Sequence, residues 1–389
     1  MAEFTSNSVE EYFKGKTILV TGATGFLTKV FVEKILRVQP NIKRLYLLVR
    51  ASNPDVALQR LHTEVFGKEL FKIQREKWGE KFSSFLSEKV VAVAGDVSLH
   101  NFGIKDQILV KEMLEEIEII VHSAATVTFD ERYDIAMGTN TMGAYNAINF
   151  AKMCPRIEVF LFVSTGLIPE EPFRMGQTIK TSSKLDISLE KQLIEEKLSD
   201  IQTRNANEKT ITSMMKELGT TRANLHGWQD TYAFTKAMGE MVVTSTKGNI
   251  PLIITRPTAI IGTHSEPFEG WIEGVRTIDF VFVEYFKGAI TSFVGNPEII
   301  LDLIPVDMVA NSMIIALLVH SKNNSSNNLI YHIGTSFDDK NTEKLRMAIK
   351  GVGSVEREFN LDPKSIDWKD YLMNVHFPGL VKYSMQPKM

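Results

Sequence analysis

Tyr232 and Lys236 stand four residues apart in YAFTK (232–236). On a helix that spacing puts both side chains on one face, so a phenol and an ammonium can converge on one ligand. A cation near a phenol stabilises the phenolate and lowers its pKa from about 10, which would make Tyr232 a usable proton donor near neutrality. A Tyr-x-x-x-Lys spacing is common by itself. It gains weight here because Ser164-Thr165 ends an apolar run upstream and Arg256-Pro257 ends another downstream. The hydroxyls of Ser164 and Thr165 could hydrogen-bond a carbonyl oxygen. Carbonyl polariser, phenol and ammonium together describe a hydride-transfer site.

A hydride donor must be held beside these groups, and KTILVTGATGFL (16–27) is built for that. The strand-like Thr17–Thr21 runs into Gly22-Ala23-Thr24-Gly25, and a helical pattern follows from Phe26 and Leu27. Gly22 and Gly25 lack a Cβ, so the backbone can turn sharply against a pyrophosphate that faces the free N–H groups of the helix start. The next strand, Arg44–Val49, is followed by Arg50, a cation suited to a 2′-phosphate rather than a bare ribose hydroxyl, so NADP is favoured over NAD. The third strand ends in Gly95-Asp96-Val97, a carboxylate and an apolar group where an adenine could lie. The fourth ends in His122-Ser123-Ala124-Ala125, small residues that leave room for ribose. A lone His122 at a strand end more commonly satisfies local hydrogen bonds than does chemistry.

These residues need a scaffold. Seven strand-length apolar runs, Thr17–Thr21, Arg44–Val49, Val90–Ala94, Ile119–Ser123, Val159–Ser164, Leu252–Arg256 and Leu329–Ile333, alternate with helical stretches at Thr28–Val38, Asp106–Glu116, Gly143–Met153, Thr235–Ser245 and Val306–His320. Such alternation specifies an α/β fold, a Rossmann-type doubly wound parallel sheet covered by helices on both faces. Charged amphipathic helices, LEKQLIEEKLSD and ITSMMKEL, are expected within 183–225 as an insertion, part of a smaller and mostly helical substrate-binding portion. The short C-terminal tail from Phe337 reads as no unit of its own.

The chain has 389 residues, 44% hydrophobic and 23% charged, with a net charge of −3. No basic surplus points to nucleic acid. Cys154 is the only cysteine, which excludes an intramolecular disulfide and a cysteine-based metal cluster and fits a reducing compartment. No apolar run reaches the ~18 residues of a bilayer span. Peripheral membrane contact stays open. The polar N-terminus is unlike a secretory or plastid leader, so the cytosol or the cytosolic face of the endoplasmic reticulum is expected. TIDFVFVEYFKGAITSFV (277–294) gathers Phe280, Phe282, Tyr285, Phe286 and Phe293, readable as a lipid channel wall or, more simply, as buried core.

TGATGFL, Asp96-Val97, His122-Ser-Ala-Ala, Asn140 in GTNTMGAYN, Ser164-Thr165, YAFTK and RPTAIIG together resemble the extended short-chain dehydrogenase/reductase family. EPFEGWIEGVRTID (266–279), LDLIPVDMVANSM (301–313) and HGWQDTYAFTKAMGEM (226–241) narrow this to a resemblance to the plant alcohol-forming fatty acyl-CoA reductases. It runs from Tyr12 to Gly334 and resumes in FDDKNTEKLRMA and IDWKDYLMN. The resemblance implies a reductase domain over 12–336, with substrate insertions at about 166–230 and 262–305, and a C-terminal remnant over 337–389. It implies a fatty acyl-CoA substrate and two NADPH, consumed in reducing the thioester to a primary alcohol through a hemithioacetal and an aldehyde. Tyr232 would protonate the oxygen, Lys236 would tune it and hold the nicotinamide ribose, Thr165 or Ser164 would polarise the carbonyl, and Asn140 would support a proton-relay water. Gly22, Thr24, Gly25, Phe26, Leu27, Arg50, Asp96, Val97, Ser123, Ala124, Ala125 and Pro257 would complete the cofactor shell. A covalent route needs an activated cysteine, and Cys154, before Pro155 at a helix end, is poorly placed to be one.

Two departures stand out. Relatives continue from Ser-Thr into a short loop containing Ala-Tyr-Val, whereas this chain runs straight into Gly166-Leu167-Ile168-Pro169. They also carry a long helical region after the Gly334-Thr335-Ser336 element, where Ser336 here abuts Phe337. The first leaves the placement of Ser164 and Thr165 for the structure to decide, and the second removes candidate walls of the acyl site. Two other readings share the cofactor motifs: a reductase or epimerase acting on another carbonyl, and a silent NADP-binding relative.

Overall fold

The computed structural model describes residues 8–166, 174–176, 179, 185–292, 295–296, 298–322, 329–335 and 340–385. A short helix α1 (Ser8–Phe13) precedes β1 (Thr17–Thr21), α2 (Phe26–Val38) and β2 (Arg44–Val49). Three helices, α3 (Pro54–Leu61), α4 (Lys72–Trp78) and α5 (Phe82–Lys89), lead to β3 (Val90–Ala94). Then come α6 (Gln107–Glu116), β4 (Ile119–His122), α7 (Tyr133–Ala136), α8 (Gly143–Lys152) and β5 (Val159–Val163). The helical insertion is α9 (Ile187–Thr203) and α10 (Glu208–His226), followed by α11 (Thr231–Thr246), β6 (Leu252–Pro257), β7 (Ala259–Ile261), α12 (Thr277–Phe286), β8 (Leu303–Pro305), α13 (Val306–Lys322) and β9 (Leu329–Ile333).

Seven strands form one parallel sheet in the order β3-β2-β1-β4-β5-β6-β9. These are the seven runs expected from sequence, with ends moved by no more than a residue. β1, β4, β5 and β6 are buried along their whole length, as strands covered on both faces must be. One core cluster joins β1 and β5 to α2 and α13 through Val20, Leu161, Phe31 and Met313. A second joins Leu19 and Phe160 to Met113 of α6, Ile148 of α8 and Val243 of α11. The strand order reverses beside β1, between β2 and β4, and at such a switch point a crevice opens at the carboxyl ends of the strands.

The insertion is helical as expected. It has its own core, in which Ile194, Ile201, Met215 and Trp228 meet Tyr133 and Phe234. Glu190 ties it down from the interior, accepting from Tyr133 Oη at 2.8 Å and Arg222 Nε at 2.9 Å, with His226 Nε2 at 3.3 Å.

The tail holds more structure than its sequence suggests. Helices α14 (Lys340–Ile349), α15 (Gly353–Glu358), α16 (Trp368–Asp370) and α17 (Phe377–Ser384) follow β9. Leu345, Phe359, Tyr371 and Leu380 join the same core as β1 and α13. Among the described residues no helix is long and apolar enough to cross a membrane.

Candidate active site

The glycine turn is sterically committed. Gly22 has φ +72°, and a Cβ there would sit 2.8 Å from the Ala124 Cα and backbone N, so a side chain would collide with the chain leaving β4. The Gly25 N–H donates to the Gly22 carbonyl at 2.8 Å and closes the turn. α2 then starts at Phe26 with no side-chain cap. Uncapped first-turn N–H groups at the positive end of a helix suit an anion, so Thr24, Gly25, Phe26 and Leu27 fit a dinucleotide diphosphate.

The remaining cofactor positions sit at neighbouring strand ends. Arg50 is exposed directly after β2, and its carbonyl accepts from Arg60 at 2.7 Å. Asp96 follows β3. Its Oδ1 accepts from the Ser98 N–H at 2.9 Å and the Ser98 hydroxyl at 2.8 Å, which orients the carboxylate. Val97 is buried against Gly143. Ser123, Ala124 and Ala125 are half-buried after β4. His122 is structural: its Nδ1 lies 3.0 Å from the Thr21 hydroxyl, which also accepts the Ala124 N–H at 3.2 Å. Burial pushes its pKa down to about 3, with the Lys236 charge adding to the effect, so the ring stays neutral.

The chemistry-bearing residues gather on α11 and β5. Asp230 caps α11 by accepting the Ala233 N–H at 2.7 Å, so the helix begins before Tyr232 rather than at the expected Thr235. Asn140 lies in a π-helical turn, Met137–Met142, ahead of α8. Its amide donates to the Thr126 carbonyl at 3.2 Å and the Thr235 hydroxyl at 3.0 Å, and accepts the Thr126 N–H at 2.9 Å. Asn140 therefore fastens the segment after β4 to the middle of α11. A Cβ on Gly239 would lie 2.4 Å from the Asn140 carbonyl oxygen, so only glycine permits this approach.

After β5 the chain runs through Ser164-Thr165 straight into Gly166. Ser164 is buried, and its N–H donates to the Thr255 carbonyl at 2.7 Å, prolonging the strand pairing. Thr165 follows, and its side chain acts on the Tyr232 phenol. Gly166 follows on the Pro257 carbonyl at 2.8 Å. Leu167, Ile168 and Pro169 lie outside the described residues.

The expected electrostatics of the phenol are corrected. Burial pushes the Tyr232 pKa up to about 12, opposed by the Thr165 side chain. Lys236 is not what sets it. The ammonium turns away, donating to the Val163 carbonyl at 2.6 Å and lying 4.5 Å from the Phe162 ring centre. Burial pushes the Lys236 pKa down to about 7, against the opposing charge of Glu240 one turn on. Tyr232 is thus a neutral phenol that keeps its proton until an oxygen arrives to take it.

Behind Lys236 lies a charged group that composition and spacing did not single out. Glu240 and Arg256 are both wholly buried and paired, with Arg256 Nε 3.1 Å from Glu240 Oε2 and a second contact from Nη2 to Oε1. Arg256 Nη1 lies 3.3 Å from His332 Nε2 on β9. The Lys236–Glu240 spacing is readable in sequence, but Arg256 and His332 meet it only through the order of strands.

Cys154 is buried, donates to the Phe150 carbonyl at 3.4 Å, and has a thiol pushed up to about 12 by burial. It offers no thiolate. The aromatic run after residue 277 is neither a closed channel nor plain core. Val283 is buried and Phe282 packs edge-on to Phe377 at 4.9 Å. Phe280, Tyr285 and Phe286 are exposed, as are Ile299, Ile300 and Leu301. Phe293 lies outside the described residues. A cavity of about 450 Å³ between the 268–270 loop, α4 and α17 is lined by none of the site residues.

A Rossmann sheet with an open glycine turn, and a Tyr-x-x-x-Lys helix facing a threonine at the end of β5, defines a nicotinamide-dependent oxidoreductase of the short-chain dehydrogenase/reductase type. Comparison with known proteins specifies it. Residues 20–313 match the family described as male sterility protein, an NAD-binding domain. A probable fatty acyl-CoA reductase 5 of Arabidopsis thaliana is 52% identical over 84% of this chain and 68% of its own length. The alcohol-forming fatty acyl-CoA reductase of Simmondsia chinensis is 38% identical over 97% of this chain and 98% of its own. The chain belongs to the fatty acyl-CoA reductase family. Among solved structures, the reductase domain of a nonribosomal peptide synthetase from Mycobacterium tuberculosis matches with a TM-score of 0.56 at 18% identity, covering 92% of this chain and 84% of that one, which supports the fold. The Simmondsia alignment spans 485 positions against a chain of 389, so close to a hundred or more positions of that relative face no residue here.

Proposed function

We propose that this chain reduces fatty acyl-CoA to a primary fatty alcohol with NADPH. The observation that carries the reading is the Thr165 side chain set against the Tyr232 phenol, in a chain with an intact glycine turn and relatives that bear that activity in their names. NADPH, when bound, supplies a hydride to each carbonyl in turn. The protein's part is to hold and move protons. Thr165 and Tyr232 present hydroxyls to the thioester oxygen, and the Tyr232 Oη proton passes to that oxygen as negative charge develops. The hemithioacetal expels CoA thiol, and the aldehyde meets the same pair of hydroxyls for the second reduction. Lys236 would hold the nicotinamide ribose with its positive charge, and Asn140 holds α11 in register with the chain leaving β4. With its single thiol buried and protonated, the protein has no cysteine nucleophile for a covalent thioester exchange, which supports direct attack on the substrate. Arg50 supports the choice of NADPH, and the lone cysteine fits a reducing compartment. We place the reductase domain at 12–336 and read 337–389 as the remnant of a C-terminal domain.

A specific observation favours a second reading, a cofactor binder of low turnover. The exposed faces of α12 and 299–301 are apolar surface that a substrate domain would be expected to cover. Incubating the chain with a long-chain acyl-CoA and NADPH, and measuring alcohol and aldehyde by gas chromatography beside a cofactor titration, separates the two. Alcohol in stoichiometric relation to NADPH consumed supports the reductase. Cofactor binding with no product supports the binder. No dinucleotide binding at all refutes both.

A further inference from the structure

The segment Gly270–Arg276 folds back onto the first residue of the cofactor helix. Trp271 stacks on the Phe26 ring with centroids 5.4 Å apart, and the Arg276 guanidinium carbon lies 4.8 Å from the centre of the same ring. Phe26 immediately follows Gly25, so Arg276 packs on the side chain of the residue that opens the uncapped helix α2. Its Nη1 donates to the Glu273 carbonyl. Gly274, at φ +76°, lies against the guanidinium, where even a Cβ would come 3.5 Å from both terminal nitrogens.

The two carboxylates whose charge Arg276 feels are not bonded to it, and one oxygen of Asp279, Oδ2, is buried without a partner. Glu273 pairs with Lys29 and lies 3.4 Å from Lys68 Nζ. Asp279 Oδ1 lies 2.8 Å from buried His376 Nε2. Among the described residues Arg276 therefore has no carboxylate within ion-pair distance, and four of its five N–H groups have no protein acceptor. Its charge is left under-compensated, and burial lowers its pKa despite the pull of Glu273 and Asp279. A half-buried cation with spare donors, packed on the first residue of an uncapped helix, is arranged to receive an anion.

We propose that Arg276, reaching across from the segment after β7, is a ligand of the cofactor's diphosphate. This rests on the reading of the glycine turn as a nicotinamide dinucleotide site. It divides the labour between two cations: Arg50 addresses the 2′-phosphate at the end of β2, and Arg276 the diphosphate over α2.

The test is equilibrium binding by the full chain of NADPH, NADH, ADP and 2′-AMP, with Arg276→Ala, Arg276→Lys and Arg50→Ala variants. Losing a charge-assisted contact typically weakens binding about 10- to 100-fold. Arg276→Ala should weaken NADPH, NADH and ADP by that factor and leave 2′-AMP, which carries no diphosphate, unchanged. Arg276→Lys should fall between. Arg50→Ala should weaken NADPH and 2′-AMP and spare NADH and ADP. Unchanged NADPH, NADH and ADP affinities in Arg276→Ala overturn the inference, and so does an equal loss of 2′-AMP, because that marks a collapsed fold rather than a lost contact. If the unmodified chain binds neither dinucleotide, the reading of the turn falls and takes this one with it. If it binds them and Arg276→Ala makes no difference, this inference alone falls.

Discussion

Replacing Glu240 by Gln should cost stability and alter the titration of Lys236 in one step. Glu240 and Arg256 are both fully buried and meet through two contacts, the Nε–Oε2 separation being 3.1 Å. The substitution keeps the side-chain shape and one acceptor but leaves the Arg256 charge without its counter-ion. Breaking a buried pair from one side typically costs about 3–5 kcal/mol, against a typical total of roughly 5–15 kcal/mol. The same carboxylate is the charge that opposes burial at Lys236, whose pKa stands at about 7. Without it the ammonium loses its proton at lower pH. Urea unfolding reads the first effect, with the midpoint multiplied by the slope giving the loss. NADPH affinity titrated from about pH 6 to 8 reads the second, and its fall with pH should begin earlier in the variant. The double replacement Glu240→Leu with Arg256→Met removes both charges, so it should recover most of the stability while Lys236 still titrates low. A loss under about 1 kcal/mol with an unmoved pH profile would refute the reasoning, since a wholly buried guanidinium cannot lose its counter-ion so cheaply.

Arg50→Asp should erase or reverse a preference for NADPH over NADH of about 10- to 100-fold, and equal affinities in the unmodified protein would sink the assignment. Tyr232→Phe should lower reduction of acyl-CoA and of free aldehyde alike by ~10²–10⁴-fold with NADPH binding nearly intact; a full rate on aldehyde would show that another group donates the proton. Because Lys236 is held at about 7 in the fold against 10.5 for the free side chain, the unfolded chain binds the extra proton between those values. This group therefore makes stability rise with pH across that window while functions that need the ammonium decline; a rate that climbs steadily from pH 7 to 9 would contradict it. Fatty alcohol yield should be weak despite tight NADPH binding, since each CH₂ left in water forfeits ~0.8 kcal/mol of substrate affinity; robust yield from this chain would remove the case for the low-turnover reading.

How much was legible follows from which forces act locally. The seven sheet strands are apolar runs of four to six residues bounded by turn chemistry, and burial on both faces makes such runs nearly continuous in the sequence. Gly22 was legible because its φ of +72° and its 2.8 Å approach to Ala124 leave no place for a side chain. The Tyr232–Lys236 spacing was legible too, but its electrostatics were not. Whether the ammonium turns to the phenol or to the Val163 carbonyl depends on where β5 ends beneath α11, and that is a tertiary fact. α11 starts ahead of the expected Thr235 because Asp230, a sound cap residue, accepts the Ala233 N–H and opens the helix at Thr231. The tail was illegible for another reason. Leu345, Phe359 and Leu380 are far apart in sequence and bury into a core built mostly by others, so no local periodicity announces them.

One group of contacts joins α2 to the segment after β7 and to the tail. α2 carries two buried lysines, and the segment after β7 supplies an acid for each: Lys29 pairs with Glu273, and Lys34 with Glu266. Lys34 also donates to the Glu358 carbonyl and lies 4.4 Å from the Phe359 ring centre, which brings the tail into the same knot. Asp307, at the start of α13, accepts three successive N–H groups from His264, Ser265 and Glu266 at 2.9, 2.9 and 3.0 Å and fixes the loop from which Glu266 projects. Removing the partner of either buried lysine would cost about 3–5 kcal/mol, so these contacts tie the 264–276 segment to α2 beside Phe26 and the glycine turn. α12 is fastened from its inner face by the Asp279–His376 contact and by Phe282 against Phe377, while Phe280, Tyr285, Phe286 and Ile299–Leu301 face outward. On the proposed reading, an acyl chain laid against these residues gains ~0.8 kcal/mol for each CH₂ they cover.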